Sequence, residues 1–124
     1  ATRDRTTLRL LYSQVPLTLN PHLATGIQDF EAGRIVYEPL ATTNERGELV
    51  PLLAAALPTV EDGSVAADGK SVTWQLQPDV QWADGEHLTA EDVVFTFDFV
   101  SNPQVGAATA QYYEAVESVE AIDE

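Results

Sequence analysis

Cysteine is missing from this 124-residue chain, which excludes disulfides, thiolate metal sites and cysteine nucleophiles in any compartment. Cations are scarce: six Lys and Arg stand against 20 Asp and Glu, for a net charge of −14. Nucleic acid and anionic membrane surfaces both require a basic patch, so neither is expected as a partner. The carboxylates are spread along the chain instead of massed in a tail, which reads as solubility. No apolar run approaches the ~20 residues needed to span a bilayer. A signal peptide is also lacking, because Ala1–Thr7 is polar and carries both signs of charge; an exported protein would be present here in mature or trimmed form.

Enzyme signatures are lacking too. There is no G-x-S-x-G, no P-loop and no H-E-x-x-H, so no catalytic residue and no cofactor are assigned. His22 and His87 are isolated in turns, without metal-ligand spacing. Asp29 and Glu31 would diverge on a helix instead of forming a carboxylate pair, so a hydrolase built on Asp29 finds no partner base. Asp84, Glu86, Glu91 and Asp92 miss the calcium-loop spacing, and turn and cap roles account for most of them. No metal site is expected.

What is present fits one domain at most, or part of one, and an apolar content of 44% suffices for a core. The chain is organised around the stretch from Val80 to Val100. Val80 and Trp82 share one face of an extended segment, and Asp84-Gly85 is a strong turn signal. Thr89 reads as a helix N-cap, with Asp92 placed to reach back to its amide and Leu88 and Val93 placed as a hydrophobic staple. Glu91 and Asp92 suit the positive end of the helix dipole. Val93, Phe97 and Val100 then form an inward stripe, and Ser101-Asn102-Pro103 stops the helix.

Earlier in the chain, Ala1–Thr7 reads as a flexible leader and Leu8–Tyr12 as a buried strand. Leu17–His22 is an extended segment closing in an Asn-Pro turn. Thr25 with Gln28, or Asp29 itself, caps a helix expected from about Phe30 to Tyr37, with Phe30, Gly33 and Tyr37 on one face. Leu40–Thr43 is extended, Arg46-Gly47 turns, and Leu52–Leu57 is a short helix or buried turn closed by Pro58. Asp62-Gly63 and Asp68-Gly69 mark turns before Val72, Trp74 and Leu76, which alternate with polar residues as a half-buried strand. Trp74 and Trp82 are expected in the core. Val116, Val119 and Ile122 suggest a last strand, which at Glu124 has no partner and looks cut.

Five of these stretches, in order, resemble a known family. They are Leu17-Thr18-Leu19-Asn20-Pro21-His22, Val36-Tyr37-Glu38-Pro39-Leu40, Val50-Pro51-Leu52-Leu53-Ala54, Val72-Thr73-Trp74-Gln75-Leu76, and Trp82-Ala83-Asp84-Gly85 with Leu88–Phe97. Together they are similar to the extracellular solute-binding proteins of family 5, the peptide- and nickel-binding proteins of bacterial ABC importers. Gln77 and Gln81 stand where that family commonly has basic residues. The resemblance implies an N-terminal fragment of an α/β parent with a type II periplasmic-binding-protein-like fold, in which this piece is a mixed sheet with antiparallel hairpins and short helices. It implies that residues 8–37 begin the first lobe and residues 38–124 belong to an extra domain attached to it.

The implied function is capture of a small solute, a peptide preferred, and delivery to a membrane permease by an exported periplasmic or cell-surface protein. The implied ligand-facing loop is Thr25, Gly26, Ile27, Gln28 and Asp29. An exposed loop before a helix, with free amides and a carboxylate, suits that role; plain capping suits Thr25 and Asp29 equally. A fragment of such a protein should expose an apolar face and self-associate through it. The competing reading is a self-contained acidic β-rich interaction module with a closed sheet.

Overall fold

A computed structural model describes residues 6–122 of the chain. Helix α1 spans Ile27–Gly33, strands β1 and β2 span Ala41–Thr43 and Leu49–Pro51, helix α2 spans Ala90–Ser101, and a single 3₁₀ turn covers Ala110–Tyr112. The sheet is the two-stranded antiparallel pair β1–β2, with Thr42 opposite Val50. A mixed sheet is therefore not formed among the described residues. Two three-residue strands also fall short of the closed sheet that a self-contained β-rich module needs.

The β1–β2 hairpin turns at Asn44, whose Oδ1 accepts from the amides of Arg46 and Glu48 at 2.9 and 3.0 Å. Beyond it, the segment expected as a strand at 72–76 is divided between two partners. Its start pairs with Val65 and its end with Ala54, each as an isolated antiparallel bridge. Thr73 donates to the Ser64 carbonyl at 2.7 Å, while Ala55 donates to Gln75 and Gln77 to Leu53, both at 2.8 Å. Neither partner is long enough for a continuous ladder, so the stretch is extended without becoming a regular strand. Ala54 sits where these lines cross, fully buried, and 52–57 forms bends instead of a helix. Trp74 and Trp82 are 38% and 43% exposed and do not join the core expected of them.

The 80–100 stretch folds as its residues dictate. Gln81 bridges His87, the Trp82 amide donates to the Glu86 carbonyl at 2.8 Å, and Gly85 takes φ 94°, where a Cβ would be strained. Thr89 caps α2, and the Asp92 carboxylate accepts its amide at 2.9 Å. The same carboxylate accepts the Trp82 indole N–H at 3.3 Å, which ties the hairpin to the helix. Val93 and Phe97 are half-buried and Val100 is fully buried, the stripe the spacing predicts. Phe95 lies on the outer side, 68% exposed, stacked on Phe99 at 6.4 Å.

Several expectations fail at the ends of the chain. Leu8–Tyr12 forms no strand, and Leu8 and Leu11 are 76% and 99% exposed. The last strand at 116–122 does not form either. A strand exists only where a neighbour accepts its hydrogen bonds, and the described residues supply none at these places. The leader expected at Ala1–Thr7 lies, for residues 1–5, outside the described residues. The core is correspondingly small: Ala24, Ala32, Ala54, Val100 and Ala107, with Asp29 as the buried polar residue.

Candidate functional site

The loop from Leu17 to Asp29 is built by short side chains folding back on the backbone. Thr18 Oγ1 accepts from the Asn20 amide at 3.0 Å, and Asn20 Oδ1 accepts from the His22 amide at 2.9 Å. This Asx turn before Pro21 reverses the chain and buries Ala24 to 1%. Gly26 then caps α1 in an extended conformation, so the helix begins at Ile27, three residues earlier than the Phe30 start that the pattern suggests. It ends at Gly33, where the Leu19 backbone packs so close that a Cβ would stand 3.0 Å from its carbonyl oxygen.

Asp29 occupies the third helical position and decides which face turns inward. One carboxylate oxygen accepts the Leu17 amide at 2.7 Å and the other accepts the Gly26 amide at 3.3 Å. The Leu17 amide is the main reason the carboxyl is held below its ordinary value of 3.8, and the backbones of Gly26, Thr18 and Thr25 act in the same direction against burial. Asp29, Ala32 and Gly33 are the buried residues of α1. Phe30 is 44% exposed and Tyr37 lies beyond the helix, which corrects the face expected from Phe30, Gly33 and Tyr37.

The structure thus divides the five candidate ligand residues. Thr25 is exposed, Ile27 is 76% exposed, and Gln28 is half-buried with its amide folded over Gly26. Asp29 faces the interior and spends both oxygens on its own chain. The loop can offer backbone and neutral side chains to a ligand; its carboxylate is engaged. Elsewhere a shallow open depression of about 250 Å³ is lined by Leu57, Pro58, Asp62, Ser64, Thr73 and Gln75. Ser64 donates from its hydroxyl and its amide to Asp62, and the hydroxyl bond chiefly holds that carboxyl below its ordinary value. This depression is smaller than the ~300–1,000 Å³ of an enclosed ligand pocket. Among the described residues no group of three or more His, Asp or Glu is placed to hold a metal ion.

Sequence reasoning missed one cluster. His22 Nδ1 lies 2.8 Å from Thr109 Oγ1, and its ring meets Tyr113 edge-on at 6.2 Å. Nothing local to His22 signals a contact 87 residues away.

Comparison with known proteins places this geometry in context. The family described as bacterial extracellular solute-binding proteins, family 5 Middle, matches residues 48–124. The chain is 30% identical to the periplasmic murein peptide-binding protein MppA of Escherichia coli over 72% of its length, and 29% identical to the periplasmic oligopeptide-binding protein OppA of Haemophilus influenzae over 86%. It spans 15% and 19% of those two relatives. A crystal structure of the peptide-binding protein AppA from Clostridium difficile superposes with a TM-score of 0.57 at 35% identity, over 75% of this chain and 18% of that one. With more than half of its residues matched in one continuous stretch, the chain belongs to the bacterial extracellular solute-binding proteins of family 5.

Proposed function

We propose that this chain is the N-terminal part of the substrate-binding component of an ABC importer. The component captures an extracellular peptide and hands it to a membrane permease, without performing chemistry itself. The observation that carries this reading is the family match over residues 48–124, joined to relatives whose names specify peptide binding. In this reading residues 8–37 begin the first lobe of a type II fold and residues 38–124 belong to the extra domain. The protein works outside the cytoplasm, in the periplasm or at the cell surface, where both named relatives are periplasmic.

Within the loop, Thr25, Ile27, Gln28 and the Gly26 backbone face the ligand, and Asp29 holds the loop in shape from beneath. A half-open surface of this kind grips little by itself. Affinity comes when a second lobe closes over the solute and removes it from water.

The test is a thermal-shift screen of the full-length parent beside this 124-residue chain, with di- to pentapeptides, nickel complexes and oligosaccharides. A ligand that binds only the folded state raises the midpoint with its concentration. A peptide that stabilises the parent and leaves the short chain unmoved supports the reading. Peptides that shift neither, with a nickel complex or sugar shifting the parent, overturn the peptide assignment while keeping capture. Binding by the short chain alone, with the parent unmoved, overturns capture.

A further inference from the structure

Helix α1 turns Asp29, Ala32 and Gly33 inward and leaves its opposite side open. Ile27 and Phe30 are 76% and 44% exposed there, and Glu31 is exposed beside them. Ile27 and Glu31 are four positions apart, so on a helix their Cβ atoms are neighbours at about 6 Å, and Phe30 lies three positions from Ile27 on the same surface. Glu31 makes no hydrogen bond and no ion pair among the described residues. The cation spaced to neutralise it is Arg34, three positions on, and Arg34 donates to Thr42 Oγ1 at 3.2 Å instead. The open face is therefore two apolar side chains with an unpaired carboxylate at their edge.

A lysine or arginine side chain has the complementary build, an apolar stem that ends in a cation. The charge around the face has the matching sign. Asp29 lies beneath it with both oxygens on backbone amides and no basic partner. Residues 17–28 contain no Lys or Arg, and the whole chain carries −14, so the field draws cations toward this surface. The helix dipole does not oppose them, because its positive end is confined to the first turn and Glu31 is the fifth of the seven helical residues.

We propose that Glu31 is a specificity-determining residue, which selects solutes that carry a lysine or arginine side chain. The stem of that side chain lies along Ile27 and Phe30, the half-exposed ring of Phe30 attracts its cation, and the head reaches Glu31. The proposal rests on the reading of Thr25–Gln28 as the ligand-facing loop; it adds a residue outside that loop and narrows the solute to basic peptides.

Isothermal titration of the full-length parent tests it, with tri-alanine and with analogues carrying lysine or glutamate at each position in turn. At an ionic strength of about 0.01 M the best lysine peptide is expected to bind at least about tenfold more tightly than its glutamate counterpart. That advantage should shrink at least about threefold at about 1 M, where the screening length has fallen from about 30 Å to about 3 Å. In Glu31→Gln the lysine advantage at low salt should fall at least about threefold while the affinity for tri-alanine is unchanged, and in Glu31→Lys the order should reverse. Glu31 is exposed and bonded to nothing among the described residues, so neither variant should lower the melting temperature. A lysine advantage untouched by Glu31→Gln, or glutamate peptides that bind as tightly as lysine ones, overturns this proposal and leaves peptide capture standing. If no peptide binds the parent, the peptide reading fails and this proposal falls with it.

Discussion

Asp29 shows how one side chain can both start a helix and hold a loop. Its two oxygens serve two amides twelve and three residues back in the chain, Leu17 and Gly26. In Asp29→Asn only one oxygen remains to accept, so one of these amides loses its partner. The folded-to-unfolded ratio at neutral pH is expected to fall about tenfold, read as a shift in the urea midpoint. The carboxyl is held below its ordinary 3.8, so its contribution is present above that value and is lost as pH falls below it. Urea midpoints taken down through pH 3.8 should therefore decline less steeply in Asp29→Asn than in the unaltered chain. Asp62, depressed through Ser64, contributes to the same acid limb. Asp79 illustrates a different constraint, because it sits at φ 60° after Pro78. Asp79→Val should cost about 1–2 kcal/mol, since a branched Cβ crowds the carbonyl in that conformation, and Asp79→Asn should cost almost nothing.

At the scale of elements, α2 is held by one buried side chain. Val100→Ala should destabilise by roughly 1–3 kcal/mol in a thermal melt, while Phe95→Ala on the outer side should change little. The helix, its cap and the Asp84-Gly85 turn could be read from the residues, because each is specified within a few positions by caps, turn residues or spacing; of the β1–β2 hairpin only the extended first strand and the Arg46-Gly47 turn were legible. The strands at Leu8–Tyr12, 72–76 and 116–122 were misread for the opposite reason. Apolar alternation states that a segment is able to pair, and only the partner decides whether it does. The start of α1 was placed late because the inward pull of Asp29 depends on Leu17, which no helical spacing includes. For the same reason the ligand loop was legible as a loop, while the turning-in of its one carboxylate was not.

Across the whole molecule, a net charge of −14 opposes a very small core. Exposed apolar side chains such as Leu8, Leu11, Leu17 and Ile27 favour association, and the like charges resist it. Raising ionic strength from about 0.01 M to about 0.5 M should therefore raise the melting temperature and move sedimentation toward larger species. A chain that stays monomeric at both ends of that range would show that the apolar patches are too scattered to dock. The distance in sequence between His22 and Thr109, 87 residues, also bears on how the protein comes into being. Turns such as Asp84–Glu86 can close as soon as they leave the ribosome, at little loop-closure cost. The joint at His22 has to wait until Thr109 has been synthesised and has emerged. Throughout that interval the turn at 20–22 is held by local bonds such as those of Thr18 and Asn20, and its long-range contact closes last.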